Sequence, residues 1–178
     1  MKVIVLVGSP RRGGNTDLLV DKVLEGAAAS GSETEKVYLY DLEIKPCVDC
    51  RACKKGSFQC AIKDGIQALY PKLEAAGAIV FGTPLYWYGP TGKMKLLIDR
   101  LRPYVASRKL KGKKAAVIVP SEEGAKACRT TISMFKQSFK YLEIELVGTI
   151  LAAAYEKGEV KQNPEMLAAA FNLGKSIK

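Results

Sequence analysis

No histidine occurs among the 178 residues. That gap excludes a Ser–His or Cys–His nucleophile, a His-ligated metal and an imidazole acid–base catalyst together. No apolar run approaches the roughly 20 residues that cross a bilayer, and the opening Met1-Lys2-Val3 reads as a strand rather than a signal peptide. No membrane role and a cytoplasmic location are the expectations. Cysteine is scarce outside one place: of five, four fall between residues 47 and 60, which is unlike a secreted disulfide scaffold and suits a reducing compartment. No aromatics interleave the densest basic run, Arg108-Lys109-Leu110-Lys111-Gly112-Lys113-Lys114, so the net charge of +10 is read as solvated surface. It would attract anionic small molecules or acidic proteins, and no nucleic-acid partner is expected.

What the chain does have is a regular alternation of apolar runs and amphipathic stretches. Strands are expected at Lys2–Gly8, Glu35–Leu39, Ala78–Gly82, Ala115–Pro120 and Glu145–Leu151. Helices are expected at Asn15–Ala29, Asp64–Ala76, Thr91–Arg102, Ala125–Tyr141 and Asn163–Ser176, with Asn163 as N-cap and Pro164 at the first helical position. This order, with continuously apolar strands, predicts an α/β doubly wound parallel sheet covered on both faces, as one domain over residues 1–178. The one long departure is the loop at 41–63, where the cysteines sit.

Behind the first strand stands Gly8-Ser9-Pro10-Arg11-Arg12-Gly13-Gly14-Asn15-Thr16. Free backbone N–H groups and the positive end of a helix dipole meet at such a junction, and both favour a phosphate. Ser9, Asn15 and Thr16 add short side-chain donors, Arg11 and Arg12 add permanent charge, and Gly13 and Gly14 allow close backbone approach. A Walker A loop needs Lys and Ser or Thr after Gly13, where Gly14 and Asn15 stand, and the glycines do not fit Gly-x-Gly-x-x-Gly. A mononucleotide site remains, of the kind flavodoxin-like folds use for FMN. The competing reading is an ordinary βα turn, but two arginines and an Asn-Thr pair exceed what a turn requires.

Ligands of open parallel sheets lie beyond the carboxyl ends of the strands. After the third strand comes Thr83-Pro84-Leu85-Tyr86-Trp87-Tyr88-Gly89-Pro90, whose Pro84, Leu85, Tyr86 and Trp87 can wall a planar ring. Alternatively Trp87 and the tyrosines pack under the next helix. Ser121 and Gly124, after the fourth strand, are candidates for a third wall.

Cys47, Cys50 and Cys53 are each separated by two residues, and Cys60 follows after six more. Such spacing suits thiolate ligation of a [4Fe-4S] cluster, with Lys54 and Lys55 near enough to offset its charge. Zinc, free thiols and a redox disulfide are the other readings, zinc more often using two separated Cys-x-x-Cys knuckles. Cys128, alone on an expected helix, reads as a small core residue.

The loop Gly8–Thr16, with Thr83-Pro84-Leu85-Tyr86-Trp87 and Gly92-Lys93-Met94-Lys95-Leu96-Leu97-Ile98-Asp99-Arg100, resembles the NADPH-dependent FMN reductase family. The cysteine spacing resembles that of its iron-sulfur flavoproteins. The resemblance implies a flavodoxin-like five-stranded sheet in the order 2-1-3-4-5 with helices on both faces. It also implies FMN, its phosphate at Ser9, Arg11, Asn15 and Thr16 and its ring on the loop from Pro84 to Trp87. Homodimers or homotetramers with the flavin near a subunit interface are implied as well. The function so implied is an oxidoreductase, with electrons passing from NAD(P)H or reduced ferredoxin through FMN, and through a [4Fe-4S] cluster if one is held. The acceptor would be a quinone, an oxygen species, free flavin or a protein. A flavodoxin-like carrier without a small-molecule substrate is the alternative, though flavodoxins are commonly acidic and this chain is basic. A non-catalytic metal- or nucleic-acid-binding protein on the same scaffold is the third.

Overall fold

A computed structural model describes all 178 residues. Five parallel strands form its central sheet: β1 (Lys2–Val7), β2 (Glu33–Tyr38), β3 (Ala78–Gly82), β6 (Lys114–Ile118) and β7 (Glu145–Ile150), in spatial order β2-β1-β3-β6-β7. Counted within that sheet, this is the expected order 2-1-3-4-5. The register is continuous across its centre, Val5 lying opposite Lys36 on one side and Val80 on the other. One irregularity falls between Ala115 and Ala116, where β6 meets β7.

The period-2 alternation of side chains divides the core in two. Ile4, Leu6, Ile79, Phe81 and Val117 face one way, against α2 (Leu69–Ala75), α3 (Gly92–Asp99), α4 (Pro103–Ser107) and α5 (Arg129–Leu142). There Phe81 packs with Phe135 and Phe139 at centroid separations of 5.7 and 5.1 Å. Val3, Val5, Val7, Val80 and Ile118 face the other way, against α1 (Asn15–Ala29) and α6 (Pro164–Ser176). On this side α1 and α6 are pressed together at Gly26 and Gly174. A Cβ at Gly26 would overlap the Phe171 carbonyl, and one at Gly174 would overlap that of Val23.

α1 and β3 have the expected bounds, and Asn163 caps α6 by accepting from Met166 N–H at 3.0 Å. Other boundaries differ for local reasons. The helix expected from Asp64 opens as a 3-10 turn, Gly65–Ala68, before α2; Pro71 has no N–H to return to the preceding turn. The helix expected over 91–102 stops at Asp99 and restarts as α4 at Pro103, again because proline cannot donate. The helix expected from Ala125 begins as a 3-10 turn at Gly124–Lys126, with α5 proper starting at Arg129. β2 starts two residues earlier than expected, at Glu33. A two-stranded antiparallel hairpin, β4 (Leu85–Tyr86) and β5 (Gly89–Pro90), was not foreseen. Its turn residues Trp87 and Tyr88 have φ of 51° and 62°, a left-handed pair for which glycine or asparagine is the usual choice.

Candidate functional site

A shallow cleft of about 150 Å³, open on one side, lies at the carboxyl edge of the sheet. The β1–α1 loop forms its floor. Gly14 is the N-cap of α1, with no side-chain cap, and the N–H groups of Asn15, Thr16 and Asp17 donate to nothing within the chain. Gly14 has no room for a side chain, since a Cβ would stand 2.9 Å from the Arg11 carbonyl oxygen. Buried Asp17 shapes the loop from behind. Its carboxylate accepts from Gly13 N–H at 2.6 Å and from the Tyr38 hydroxyl at 2.8 Å, and pairs with Lys36 at 2.5 Å. Burial alone would raise this carboxyl; Lys36 and the two hydrogen bonds outweigh it and hold the group below the usual carboxylate range.

Ser9, Arg11, Gly14, Asn15 and Thr16 all line the cleft, but their side chains differ in availability. The Arg11 guanidinium has no carboxylate partner, whereas Arg12 is committed to Asp41 at 2.7 Å. Thr16 is 2% exposed, and its hydroxyl makes no bond within the chain. Ser9 Oγ accepts from Arg11 N–H at 3.2 Å. Asn15 is occupied on both sides: Nδ2 donates to the Glu156 carbonyl at 2.8 Å, and Oδ1 accepts from Val160 N–H at 3.1 Å. Its amide therefore ties the loop after β7 to the start of α1, leaving its backbone N–H and one Nδ2 proton for a ligand.

Pro84, Leu85 and Tyr86 form the second wall of the cleft. Trp87 does not join them: it stands 97% exposed at the hairpin tip, neither in the cleft nor beneath a helix. Thr91 fixes the base of this hairpin by donating to the Gly8 carbonyl at 2.6 Å, while Thr91 N–H donates to the Thr83 hydroxyl at 3.0 Å. Ser121 lines the third wall with Pro120 and Glu122, and its hydroxyl donates to the Gly124 carbonyl at 2.9 Å. Gly124 itself lies outside the lining, buried against Ala153 at φ 62°. A fourth wall was missed in the sequence, made by Ala154, Tyr155 and Lys157 of the segment after β7. The rule that ligands sit beyond strand carboxyl ends pointed at that segment too.

Cys47, Cys50, Cys53 and Cys60 line one small cavity in the long loop, together with Arg100 and Arg102. All five cysteines are free thiols: Cys47 and Cys50 exposed, Cys53 and Cys60 half-buried, Cys128 buried. The four are not drawn together into a metal-coordinating group. Left-handed backbone recurs among them, at Asp49, Arg51 and Phe58. Burial pushes the Cys53 thiol up; Arg102 pulls against that rise, and Cys60 and Cys47 add to it. The loop is pinned to the body by Arg100, which is 1% exposed. Its guanidinium pairs with buried Asp64 at 2.7 Å and donates to the Lys45 carbonyl at 2.8 Å.

No helix is long and apolar enough to cross a membrane. Residues 1–156 match the NADPH-dependent FMN reductase family. An iron-sulfur flavoprotein of Methanocaldococcus jannaschii is 33% identical, over 99% of this chain and 95% of its own length. The fold is close to that of an NAD(P)H:quinone oxidoreductase from Methanothermobacter marburgensis, with a TM-score of 0.73 at 18% identity over 100% of this chain and 99% of that one. It is also close to an archaeal flavodoxin, with a TM-score of 0.63 at 17% identity over 99% and 96%. The chain belongs to the NADPH-dependent FMN reductase family, on its iron-sulfur flavoprotein branch.

Proposed function

We propose that the cleft holds FMN and that the chain passes electrons from NAD(P)H or reduced ferredoxin to a quinone, an oxygen species, free flavin or a protein acceptor. The observation that carries this is the unused donor set at the start of α1. The free N–H groups of Asn15 and Thr16, the Thr16 hydroxyl and the unpaired Arg11 all belong to residues of the cleft floor, with the free Asp17 N–H next in the chain, as a phosphate dianion demands. Bound flavin supplies the chemistry, accepting a hydride and returning electrons singly or in pairs. The protein's share is binding and exclusion of water: Pro84, Leu85 and Tyr86 wall one side, while Ser121, Glu122 and Tyr155 wall the other. Arg11 and exposed Lys157 keep the mouth electropositive, which also favours an anionic nicotinamide donor. No histidine is needed for any of this.

We also propose that Cys47, Cys50, Cys53 and Cys60 hold a [4Fe-4S] cluster. Four cysteines line one cavity whose two carboxylates, Asp49 and Asp99, are already paired with Arg51 and Lys95, and Arg100 and Arg102 stand in its wall; four thiolates of this kind are the donor set such a group takes, and the name of the M. jannaschii relative supports it. Bound there, it would relay single electrons. Homodimers or homotetramers in the cytoplasm complete the proposal, supported by the free thiols and by the exposed Tyr86, Trp87 and Tyr88 beside the cleft.

Anaerobic purification with flavin, iron and sulfide analysis tests both parts. About one FMN and about four iron per chain are expected. A colourless protein that binds no added FMN refutes the flavin site. Fewer than about one iron per chain after reconstitution refutes the cluster and leaves a simple FMN reductase.

A further inference from the structure

We infer that Arg102 and Arg100 are positioning residues for the anion that the four cysteines bind, supplying N–H donors to its sulfurs and holding its reduction potential up. The inference rests on the cluster proposed above. It starts from two orphaned donors: Arg100 Nε and Arg102 Nη1 are both buried without a hydrogen-bond partner, and both residues line the cysteine cavity. A buried N–H without an acceptor is costly, and native chains rarely keep one unless a bound group completes it. The other buried orphan, Ser107 Oγ, belongs to a different cavity.

The two arginines differ in charge balance. Arg100 is compensated by Asp64 at 2.7 Å, and its Nη atoms are engaged with Asp64, Lys45 and Ile62 carbonyls or carboxylates, leaving only Nε over. Arg102 makes no ion pair. The acids near it are already taken, Asp49 by Arg51 at 3.1 Å and Lys54 at 3.8 Å, and Asp99 by Lys95 at 2.7 Å. Its guanidinium carbon lies 5.8 Å from the Tyr141 ring centroid. A cluster on four thiolates is a net anion, and one-electron reduction makes it more negative. A fixed, half-buried cation and N–H donors to sulfur stabilise the reduced form more than the oxidised one, so they raise the potential. The sequence candidates for this role were Lys54 and Lys55; Lys54 is paired with Asp49, and Lys55 is not in the lining.

The test is a spectroelectrochemical titration of anaerobically reconstituted wild type, Arg102→Gln, Arg102→Lys and Arg100→Lys, with iron and sulfide counted in each and the flavin couple as internal reference. Arg102→Gln is expected to keep its iron and to lower the cluster's reduction equilibrium at least tenfold, which is 59 mV for a one-electron couple, with the flavin couple unmoved. Arg102→Lys should fall between the two. Wild-type potential in an iron-replete Arg102→Gln overturns the inference while the cluster stands. Loss of iron in Arg102→Gln, with or without loss in Arg102→Lys, overturns it, assigning Arg102 to assembly of the loop rather than to the potential. Arg100→Lys keeps the pair with Asp64 but removes Nε, and an unchanged potential there removes Arg100 from the assignment. A wild-type chain that takes up no iron and sulfide refutes the cluster and this inference together.

Discussion

Asn15 and Thr16 are neighbours in sequence and share the cleft floor, yet the structure gives them opposite jobs, and a pair of substitutions separates them. Asn15→Ala removes the acceptor of Val160 N–H, which is buried with its residue 1% exposed. It also removes the donor to the Glu156 carbonyl, whose residue is exposed. Orphaning a buried N–H costs about 1–3 kcal/mol and losing the second bond about 0.5–1.5, so the flavin-free protein should lose about 2–4 kcal/mol. For a domain of this size that is a fall of about 5–12 °C in Tm. Thr16→Val keeps shape and removes only an unbonded hydroxyl, so flavin-free Tm should move by less than about 2 °C while FMN affinity falls about tenfold or more. Asn15→Asp is the control. It restores the acceptor for Val160 but adds a carboxylate beside the phosphate site, so it should melt higher than Asn15→Ala and bind FMN more weakly. Differential scanning calorimetry of flavin-free protein and quenching of FMN fluorescence read the two quantities. An Asn15→Ala variant that melts like wild type, or a Thr16→Val variant with wild-type affinity, refutes the division of labour.

Gly174→Ala and Gly26→Ala each force a methyl into a facing helix carbonyl, so each should lower unfolding free energy by about 1–3 kcal/mol or more in urea titrations; equal stability would mean α1 and α6 separate at no cost. Asp64 is held below the ordinary carboxylate range: burial opposes the shift, and Arg100 with the N–H groups of Lys45 and Ile66 overcomes it. A depressed folded value contributes stability that is complete above the unfolded pKa and is lost as pH falls through the folded one. The cysteine loop should therefore hold at pH 5 and open only below about pH 4, and proteolysis between residues 45 and 62 that already begins at pH 6 would refute this. Trp87→Ser should leave the flavin-free fold intact and weaken self-association measured by light scattering. An unchanged mass removes the hairpin tip from the subunit interface.

The sheet was legible because its central strands are written as apolar runs, Val3 to Val7 and Ala78 to Phe81 among them, and because the middle of a parallel sheet buried on both faces requires that composition. Strand order came from the family resemblance alone, since alternation does not say which strands are neighbours. That the β1–α1 loop lines a cleft was legible for a similar reason, since a glycine pair between a strand and a helix start leaves backbone N–H groups open there. What could not be read was which donors are already taken. Asn15 and Thr16 look equivalent as short polar side chains, and only the return of the chain at 156–160, far off in sequence, uses up one of them. Trp87 misled in the same way: an aromatic beside two prolines reads as a wall, while the hairpin's left-handed turn points it into solvent.

The misread helix over 91–102 has the larger consequence. Apolar spacing carries straight through Leu96, Leu97 and Leu101, so periodicity gives one helix with Arg100 and Arg102 on its outer turns. Pro103 ends that arrangement, since it offers no N–H to Asp99 and starts α4 instead. Arg100 thereby becomes the residue that closes α3 and turns inward to Asp64, and Arg102 comes to rest between the two helices, against the cysteine cavity. Lysines close to the cysteines in sequence looked like the compensating charges, but exposed and paired side chains of that kind are weak electrostatic partners. A half-buried, unpaired guanidinium group such as that of Arg102 is a stronger one, and it took a proline break 40 residues beyond the loop to put it there. A local failure of helix periodicity is thus the place where the chain sets two arginines against the cysteine cavity.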